Sequence, residues 1–349
     1  MRSFTDHIVR ESCPLREVLT RLDELGRDAV VFVLDDEEML QGSITDGDIR
    51  RGLLSGKTLQ DPLDSFMNKN PKWVYKHDFI LKRMNELKRA GYTIIPIVDQ
   101  KKRITRIVNF NVLLSCLPVD ALIMAGGRGS RLRPLTDSTP KPLLKVGNKP
   151  IIDHNVDRLI RFGIDNFFIS VRYLGEQLET HFARRAGRST SFEFIWEKEP
   201  LGTLGAASLI ESFQNEVVLI TNSDILTLLN YEDFYLDFIE SDADMSVASI
   251  PFDVKVPYAV MDVENNNILS FQEKPTYTYF SNGGIYLVKK TLLESIPQNV
   301  FYNATDLMED IIQKGGKLRS YPLREYWLDI GQHQDYQKAQ QDIENLNSK

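Results

Sequence analysis

The sequence predicts an α/β protein in two parts, a small α+β module followed by a larger domain with a mainly parallel central sheet. Three observations predict this architecture. The 349 residues suffice for about two domains of ordinary size. The first third of the chain repeats one apolar pattern, and from Asp120 onward short apolar strands alternate with helical stretches. We therefore predict domains at residues 1–117 and 118–349.

Composition and charge narrow the classes of function. The 49 acidic residues outnumber the 42 Lys and Arg residues, and this net charge of −7 argues against a general nucleic-acid binder. The sequence has no run of about 18 apolar residues, and Met1–Arg10 lack the apolar stretch of a signal peptide. We expect a cytoplasmic protein without membrane contact. Two cysteines, Cys13 and Cys116, provide neither a disulfide framework nor a zinc cluster.

The repeated pattern lies in Val30–Ile49 and Thr93–Val112. Apolar positions of the two copies coincide at a constant offset of 63 residues, as from Leu34 to Ile97. Each copy follows an amphipathic helical stretch and predicts a strand, a polar turn, a second strand and another helix. Such a unit leaves one apolar face uncovered, so we expect the two copies to bury these faces against each other.

The most specific segment of the repeat is Gly42-Ser43-Ile44-Thr45-Asp46-Gly47-Asp48, where a strand runs into a helix. With the repeat, this segment resembles a tandem pair of CBS (cystathionine-β-synthase-type) domains, a Bateman-type module that covers about residues 1–117. The resemblance implies an adenine nucleotide held by Thr45, Asp46 and Asp48. The alternative is that Thr45 and Asp46 only cap the helix.

The second copy differs at the corresponding positions. The offset of 63 places Val108, Asn109 and Asn111 there, so that site would lack the phosphate-binding hydroxyl and the carboxylate. We therefore expect the module to be regulatory or to join subunits, and we expect a homo-oligomer.

Two neighbouring segments of the larger domain carry phosphate-binding chemistry. Ala125-Gly126-Gly127-Arg128-Gly129-Ser130-Arg131 follows the first strand of this domain, and its glycines let the backbone N–H groups approach a ligand. Its arginines match phosphate oxygens, although the loop is neither a Walker A motif nor a GxGxxG loop. In Thr139–Leu143, two prolines flank Lys141. Together these segments resemble the sugar-1-phosphate nucleotidyltransferases, the family that makes nucleoside-diphosphate sugars.

The resemblance spans Asp120 to Tyr336 and recurs, in family order, at five further places. These are Glu197–Gly205, Asn222-Ser223-Asp224, Trp327–Gly331, Gln272–Pro275 and Asn282–Tyr286. It implies a Rossmann-like domain that binds a nucleoside triphosphate, a sugar 1-phosphate and Mg²⁺.

The resemblance also implies a role for each matching residue. The catalytic residues would be Arg131, Lys141, Asp224 and Asp329, of which Asp224 and Asp329 would also hold the Mg²⁺. The nucleotide contacts would be Ala125, Gly126, Gly127, Gly129, Glu199, Gly202 and Thr203. The sugar-phosphate contacts would be Glu273, Lys274, Asn282 and Gly283. Because the Glu199 carboxylate could accept from the N1–H and amino groups of guanine, GTP is the favoured nucleotide.

The expected reaction transfers GMP from GTP to a sugar 1-phosphate, releasing pyrophosphate. Enzymes that join a CBS pair to this domain are associated with bacterial surface-glycan sugars, so we expect a 1-phosphate of the glucosamine, mannose or heptose type. Two alternatives stay open, a thymidylyl- or uridylyltransferase of the same family and a non-catalytic nucleotide-sensing subunit. Retention of the charged residues favours an enzyme.

Overall fold

The computed structural model describes residues 4–75, 81–185 and 190–346. Its contacts divide the chain into two compact units. The first unit comprises Met1–Pro118, Leu159–Asp165 and Ala186–Ser191. The second comprises Val119–Arg158, Asn166–Arg185 and Phe192–Lys349. The first unit thus includes two short segments that come later in the sequence than residue 118. The domain bounds of 1–117 and 118–349 stay a prediction.

The first unit contains two small sheets of three strands each. In each sheet, the first strand pairs parallel with the second, and the second pairs antiparallel with the third. The first copy consists of β1 (Ile8–Arg10), α1 (Leu15–Leu25), β2 (Val30–Leu34), β3 (Leu40–Thr45) and α2 (Asp46–Leu54). The second copy consists of β4 (Val74–Tyr75), α3 (Leu81–Arg89), β5 (Ile94–Val98) and β6 (Ile104–Asn109).

An apolar core lies between the two sheets. Phe32, Leu34 and Leu40 of the first copy pack in one cluster with Ile94 and Val98 of the second. The prediction that the copies bury their apolar faces against each other is therefore confirmed.

The predicted offset of 63 between the copies is wrong by one residue. Equivalent strand irregularities follow Val33 in β2 and Ile97 in β5, which sets the offset at 64. Asn109, rather than Val108, therefore corresponds to Thr45. The error of one residue arises because both strands are buried along nearly their whole length. Neighbouring positions are therefore equally apolar, and the apolar patterns of the two copies match at an offset of either 63 or 64.

The helix predicted after β6 does not form. Residues 110–118 consist of turns and irregular chain. The side-chain amides of Asn109 and Asn111 each donate to the Asp28 carboxylate of the first copy, at 2.8 Å. These hydrogen bonds link the copies where a helix start was expected.

The remaining strands lie in the second unit, apart from Ser191 at the start of β11. They are β7 (Val119–Met124), β8 (Lys145–Val146), β9 (Lys149–Pro150), β10 (Asn166–Val171), β11 (Ser191–Trp196), β12 (Val217–Asn222), β13 (Ile225–Thr227), β14 (Met245–Lys255), β15 (Val260–Glu264), β16 (Asn267–Gln272), β17 (Thr276–Lys289), β18 (Leu318–Pro322) and β19 (Trp327–Asp329). Seven of them form one sheet in the order β11-β10-β7-β12-β17-β14-β18. Strands β10, β7 and β12 pair parallel, whereas β17 is antiparallel to both β12 and β14. The α/β prediction is confirmed, with a mixed sheet around a parallel centre.

Helices flank these strands in sequence. They are α4 (Ile151–Arg161), α5 (Gly175–Ala183), α6 (Tyr231–Glu240), α7 (Lys290–Glu294), α8 (Ala304–Gln313) and α9 (His333–Leu346). Among the helices of the described residues, none has the length and apolar character needed to cross a membrane.

The register of the central strands positions the functional loops. Asn222, the last residue of β12, pairs with Met124, the last residue of β7. The loops that follow these two strands therefore begin side by side. Strand β13 begins shortly after the end of β12 and pairs antiparallel with β19, so that Ile225 lies opposite Asp329. This small sheet brings the chain around Asp329 beside the chain around Asp224.

Strands β14 and β17 continue beyond the central sheet as a two-stranded ribbon. Between them, β15 and β16 form a hairpin whose turn residues, Asn265 and Asn266, both have positive φ. We call residues 250–282 the arm. None of its residues is buried.

Candidate functional site

A cavity of about 390 Å³ opens at the carboxyl ends of β7 and β12. Ligands of open α/β sheets bind at this end of the strands. The cavity is lined by Met124, Ala125, Gly126, Gly127, Gly129, Ser130, Arg131, Lys141, Pro142, Arg172, Glu197, Pro200, Gly202, Thr203, Asn222, Ser223, Asp224, Phe301 and Gly331. The structure thus brings together residues from five separate segments that the sequence analysis selected.

Glycine is favoured at two positions of the loop after β7. A Cβ at Gly126 would stand 2.9 Å from Oε1 of Glu197, and a Cβ at Gly129 would stand 2.9 Å from Cβ of Lys141. Gly129 also has a φ of 60°, which favours glycine. The absence of side chains therefore lets this loop run close to the residues of the opposite wall and keeps its N–H groups accessible.

Lys141 and Asp224 form an ion pair within the cavity. Their side chains are only 11 % and 19 % exposed. Lys141 begins a 3₁₀ turn directly after Pro140, whose ring fixes the backbone that precedes the lysine. The carbonyl of Asp224 accepts from the N–H of Ile330 at 3.0 Å, which holds its loop against the strand that carries Asp329.

Asp329 is not part of the cavity lining, but its carboxylate interacts with that of Asp224. Burial, and then the Asp224 charge, raise the pKa of Asp329 above its usual range, while Lys141 and Arg131 partly offset the rise. A Cβ at the neighbouring Gly331 would lie 3.6 Å from both the Arg131 guanidinium and Oδ2 of Asp329. The four residues predicted as catalytic therefore lie in one neighbourhood.

The chemistry of this pair suits a divalent cation. Two adjacent carboxylates repel each other, and a cation between them would relieve the repulsion. Mg²⁺ is commonly held by one or two carboxylates together with substrate phosphates and water. Within residues 4–75, 81–185 and 190–346, no group of three or more acidic, His or Cys side chains gathers as a metal site. The protein would therefore supply Asp224 and Asp329, and the substrate would supply phosphate oxygens.

In the segment Glu197–Gly205, the carboxylate that lines the cavity is Glu197 rather than Glu199. Glu199 is exposed and is not in the cavity lining, contrary to expectation. Glu197 is only 8 % exposed, accepts from the hydroxyl of Ser170 and accepts from the N–H of Leu201 at 3.0 Å. These donors leave carboxylate lone pairs for a ligand. Glu197 was not predicted, because Glu197 and Glu199 stand only two residues apart and residue type does not distinguish them.

Arg172 also lines the cavity and was not predicted. It directly follows β10, a parallel neighbour of β7. The rule that ligands lie beyond the carboxyl ends of parallel strands could have identified it.

Gly202 and Thr203 lie where α8 begins. Gly202 has a φ of 78°, and a Cβ there would stand 2.7 Å from the carbonyl of Tyr302. The hydroxyl of Thr203 accepts from the N–H of Ala304 at 2.8 Å, so Thr203 supports α8 while it borders the cavity.

The predicted sugar-phosphate residues separate into two pairs. Asn282 and Gly283 lie at an irregularity of β17, where Trp327 Nε1 donates to the carbonyl of Gly283 at 2.9 Å. A Cβ at the adjacent Gly284 would stand 2.7 Å from the side chain of Asn222, which lines the cavity. Asn282 and Gly283 are therefore close to the cavity edge.

Glu273 and Lys274 form the other pair, on the arm. They connect β16 to β17, are exposed and do not line the cavity. The structure therefore does not bring this pair together with the other predicted site residues of the same chain.

In the first unit, Thr45 and Asp48 form a capping box at the start of α2. The Thr45 hydroxyl accepts from the N–H of Asp48 at 3.3 Å, and the Asp48 carboxylate accepts from the N–H of Thr45 at 2.9 Å. Asp48 also pairs with Arg51 at 2.6 Å, and Asp46 is exposed. The cap is therefore formed by Thr45 with Asp48 rather than with Asp46.

Comparison with known proteins identifies two family models in the chain. The model described as nucleotidyl transferase matches residues 120–346, and the CBS domain model matches residues 5–55. The D-glycero-α-D-manno-heptose 1-phosphate guanylyltransferase of Aneurinibacillus thermoaerophilus is 30 % identical over 231 residues, 65 % of this chain and 99 % of that protein. The mannose-1-phosphate guanyltransferase beta-A of Xenopus laevis is 31 % identical over 224 residues, 62 % of either chain. The crystal structure of HddC from Yersinia pseudotuberculosis matches with a TM-score of 0.50 and 25 % identity, covering 64 % of this chain and 99 % of that one.

Proposed function

Because the chain belongs to the nucleotidyl transferase family, we propose that it transfers GMP from GTP to a sugar 1-phosphate and releases pyrophosphate. The observation that carries this proposal is the convergence of Lys141, Asp224 and Arg131 on the glycine-rich loop in one cavity. The retained charged residues, which include Asp224 and Asp329 as well as the cationic side chains, disfavour the non-catalytic nucleotide-sensing alternative.

In the proposed reaction, a phosphate oxygen of the sugar 1-phosphate attacks the α-phosphorus of GTP. The bond from the α-phosphorus to the bridging oxygen breaks, and pyrophosphate leaves on the opposite side. The attacking oxygen is already anionic, so the reaction needs no general base. The enzyme has to bring two anions together and stabilise the charge that develops on the leaving group.

The residues of the cavity suit these tasks. The N–H groups from Ala125 to Gly129 would hold the triphosphate, and Arg131 and Lys141 would offset its negative charge. Mg²⁺ bound by Asp224 and Asp329 would supply further positive charge at the phosphates. Asn282 and Gly283 would contact the sugar at the cavity edge. The family resemblance assigns the sugar phosphate to Lys274, which lies on the arm outside this cavity.

We propose that Glu197 recognises guanine by hydrogen bonds. Its buried carboxylate can accept from both the N1–H and the amino group of guanine, whereas thymine and uracil offer a single N–H on that edge. The named activities of the heptose and mannose guanylyltransferases support the same base. The same names support a sugar 1-phosphate of the mannose or heptose type, and glucosamine 1-phosphate is a further candidate. We propose that the product is a precursor of surface glycans.

The test is a grid of sugar 1-phosphates against GTP, dTTP, UTP, CTP and ATP, scored by pyrophosphate release with and without Mg²⁺. We expect GTP with a mannose- or heptose-type 1-phosphate to give the highest rate, and chelation by EDTA to abolish it. Preference for dTTP or UTP would overturn the assignment of guanine, and no release with any pair would favour the non-catalytic alternative.

For the first unit, we propose binding of an adenine nucleotide that regulates the enzyme. The match to the CBS domain model over residues 5–55 supports this proposal, as do Thr45, Asp46 and Asp48 at the start of α2. A phosphate group there would gain from the amino-terminal end of the helix. Titration of the protein with AMP, ADP and ATP, followed by calorimetry, tests it.

A further inference from the structure

The arm exposes an extensive apolar surface. Ten of its large apolar side chains are between 37 % and 76 % exposed: Phe252, Val254, Tyr258, Met261, Val263, Ile268, Leu269, Phe271, Tyr279 and Phe280. Tyr279 and Phe280 are consecutive in the regularly paired part of β17 and therefore point to opposite faces, yet they are 59 % and 57 % exposed. Neither face of the ribbon formed by β14 and β17 is covered at this point in the single chain.

The size of this surface corresponds to a stable protein interface. Soluble monomers rarely expose apolar patches above a few hundred Å². Ten large side chains exposed to this degree present on the order of 1,000 Å², which compares with about 800 Å² per partner in a standard interface. Burial against a partner protein would remove this apolar surface from water.

The arm also holds Glu273 and Lys274 away from the cavity of its own chain. Seven consecutive residue pairs, from Ser249–Asn282 to Lys255–Thr276, keep β14 and β17 joined along the arm. A further hydrogen bond from Val256 N to the carbonyl of Pro275, at 3.0 Å, extends this pairing. At about 3.3 Å per residue, Lys274 lies about 25 Å along the strand from Asn282 at the cavity edge. That distance exceeds the reach of a lysine side chain.

We propose that the arm docks on a second copy of this chain, where Lys274 and Glu273 complete the cavity of the partner copy. One contact would cover the apolar surface and supply the sugar-phosphate residues that the cavity of each single chain does not receive. An exchange of identical arms about a two-fold axis gives both copies the same environment. The irregular pairing around Gly283 and Gly284, where the arm leaves the sheet, sets the direction of the arm. The role of Lys274 rests on the proposed function, whereas the docking does not.

The first experiment measures mass in solution by light scattering after gel filtration. We expect the wild-type chain to have twice the mass of one chain, or an even multiple of it. The double variant Ile268→Ser/Phe271→Ser, which changes only exposed side chains, should lower the mass to half that value. Ile312→Ser is the matched control, since Ile312 is 63 % exposed on α8, and it should leave the mass unchanged. A monomeric wild-type chain would overturn the proposal.

The second experiment tests whether the arm acts on its own cavity or on that of the partner. Asp224→Asn and Lys274→Ala should each reduce turnover severely. Co-refolding equal amounts of the two variants should give about half of the dimers as mixed dimers. In each mixed dimer, one of the two cavities combines an intact Asp224 with the partner's Lys274. About a quarter of the wild-type activity should therefore return. Failure to recover any activity from a confirmed mixture of dimers would show that each arm serves its own chain.

A cross-linking experiment does not depend on activity. In a Cys13→Ser background, one population carries Lys274→Cys and the other carries Ser130→Cys, at a position that lines the cavity. The remaining Cys116 is buried. A short bis-maleimide should join the two populations into a covalent dimer. A third chain carries both Lys274→Cys and Ser130→Cys. If cross-links form only within this chain and not between the two populations, the proposal is wrong. A covalent dimer in a protein that transfers no nucleotide would contradict only the proposed function.

Discussion

Lys141 and Asp224 form an ion pair in the cavity although 83 residues separate them in the sequence. Each belongs to a different loop at the carboxyl edge of the central strands. The Asp224 carboxylate also lies near that of Asp329, so the Lys141 ammonium offsets negative charge on two acids. In the proposed reaction this ammonium can turn toward the phosphates when Mg²⁺ occupies the two carboxylates.

The first prediction concerns this ion pair. Lys141→Ala and Asp224→Asn should each lower turnover about a hundredfold or more. The first removes a positive charge that would face the developing negative charge, and the second removes a carboxylate that would hold Mg²⁺ there. Pyrophosphate release measures the effect, and circular dichroism should show an unchanged fold. Lys145→Ala is the control, since Lys145 is exposed and outside the cavity lining. Turnover at the wild-type level in either site variant would contradict the role.

The second prediction concerns base selectivity. Glu197→Gln replaces one of the two acceptor oxygens with a donor, so kcat/KM for GTP should fall on the order of 10- to 100-fold while that for UTP changes little. The GTP to UTP ratio measures this effect. Glu199→Gln, on an exposed side chain two residues away, should leave the ratio unchanged. If Glu199→Gln lowered the GTP to UTP ratio and Glu197→Gln did not, Glu199 rather than Glu197 would be the residue that recognises guanine.

The sequence predicted most of the cavity because its residues follow the ends of parallel strands. The glycine-rich loop and the Asp224 loop could be placed together by this rule, and Asp329 by family resemblance. The choice between Glu197 and Glu199 could not be made, because it depends on which of the two side chains the tertiary structure buries, and that is Glu197. The position of Lys274 depends on the path of the arm, and local residue patterns do not determine that path.

The third prediction separates capping from nucleotide binding at Thr45. Thr45→Ala should lower the free energy of unfolding of the first unit by about 1 kcal/mol, and Thr45→Ser should retain most of it. If Thr45 also contacts a nucleotide phosphate, AMP or ATP will raise the melting temperature of the wild-type chain more than that of Thr45→Ala. No nucleotide-dependent shift in the wild-type chain would leave Thr45 with a capping role alone.

The fourth prediction contrasts a structural aspartate with the proposed catalytic ones. Asp120 is fully buried at the amino end of the sheet and accepts from Asn166 Nδ2 at 3.0 Å and Gln214 N at 2.6 Å. It also accepts from the backbone N–H of Asn215 at 3.0 Å and from its side-chain amide at 2.7 Å. Asp120→Ala would leave these buried donors without their acceptor, so the free energy of unfolding should fall by about 3 kcal/mol or more.

Asp120→Asn keeps one acceptor oxygen and should lose less stability. The cavity lies beyond Met124, at the other end of β7, so the folded fraction of either variant should retain wild-type kcat and KM. Denaturant unfolding followed by tryptophan fluorescence, together with pyrophosphate release at low temperature, measures both quantities. A loss of kcat in folded Asp120→Asn would contradict this separation of roles, because a carboxylate at the amino end of the strand would then be coupled to the chemistry at its carboxyl end.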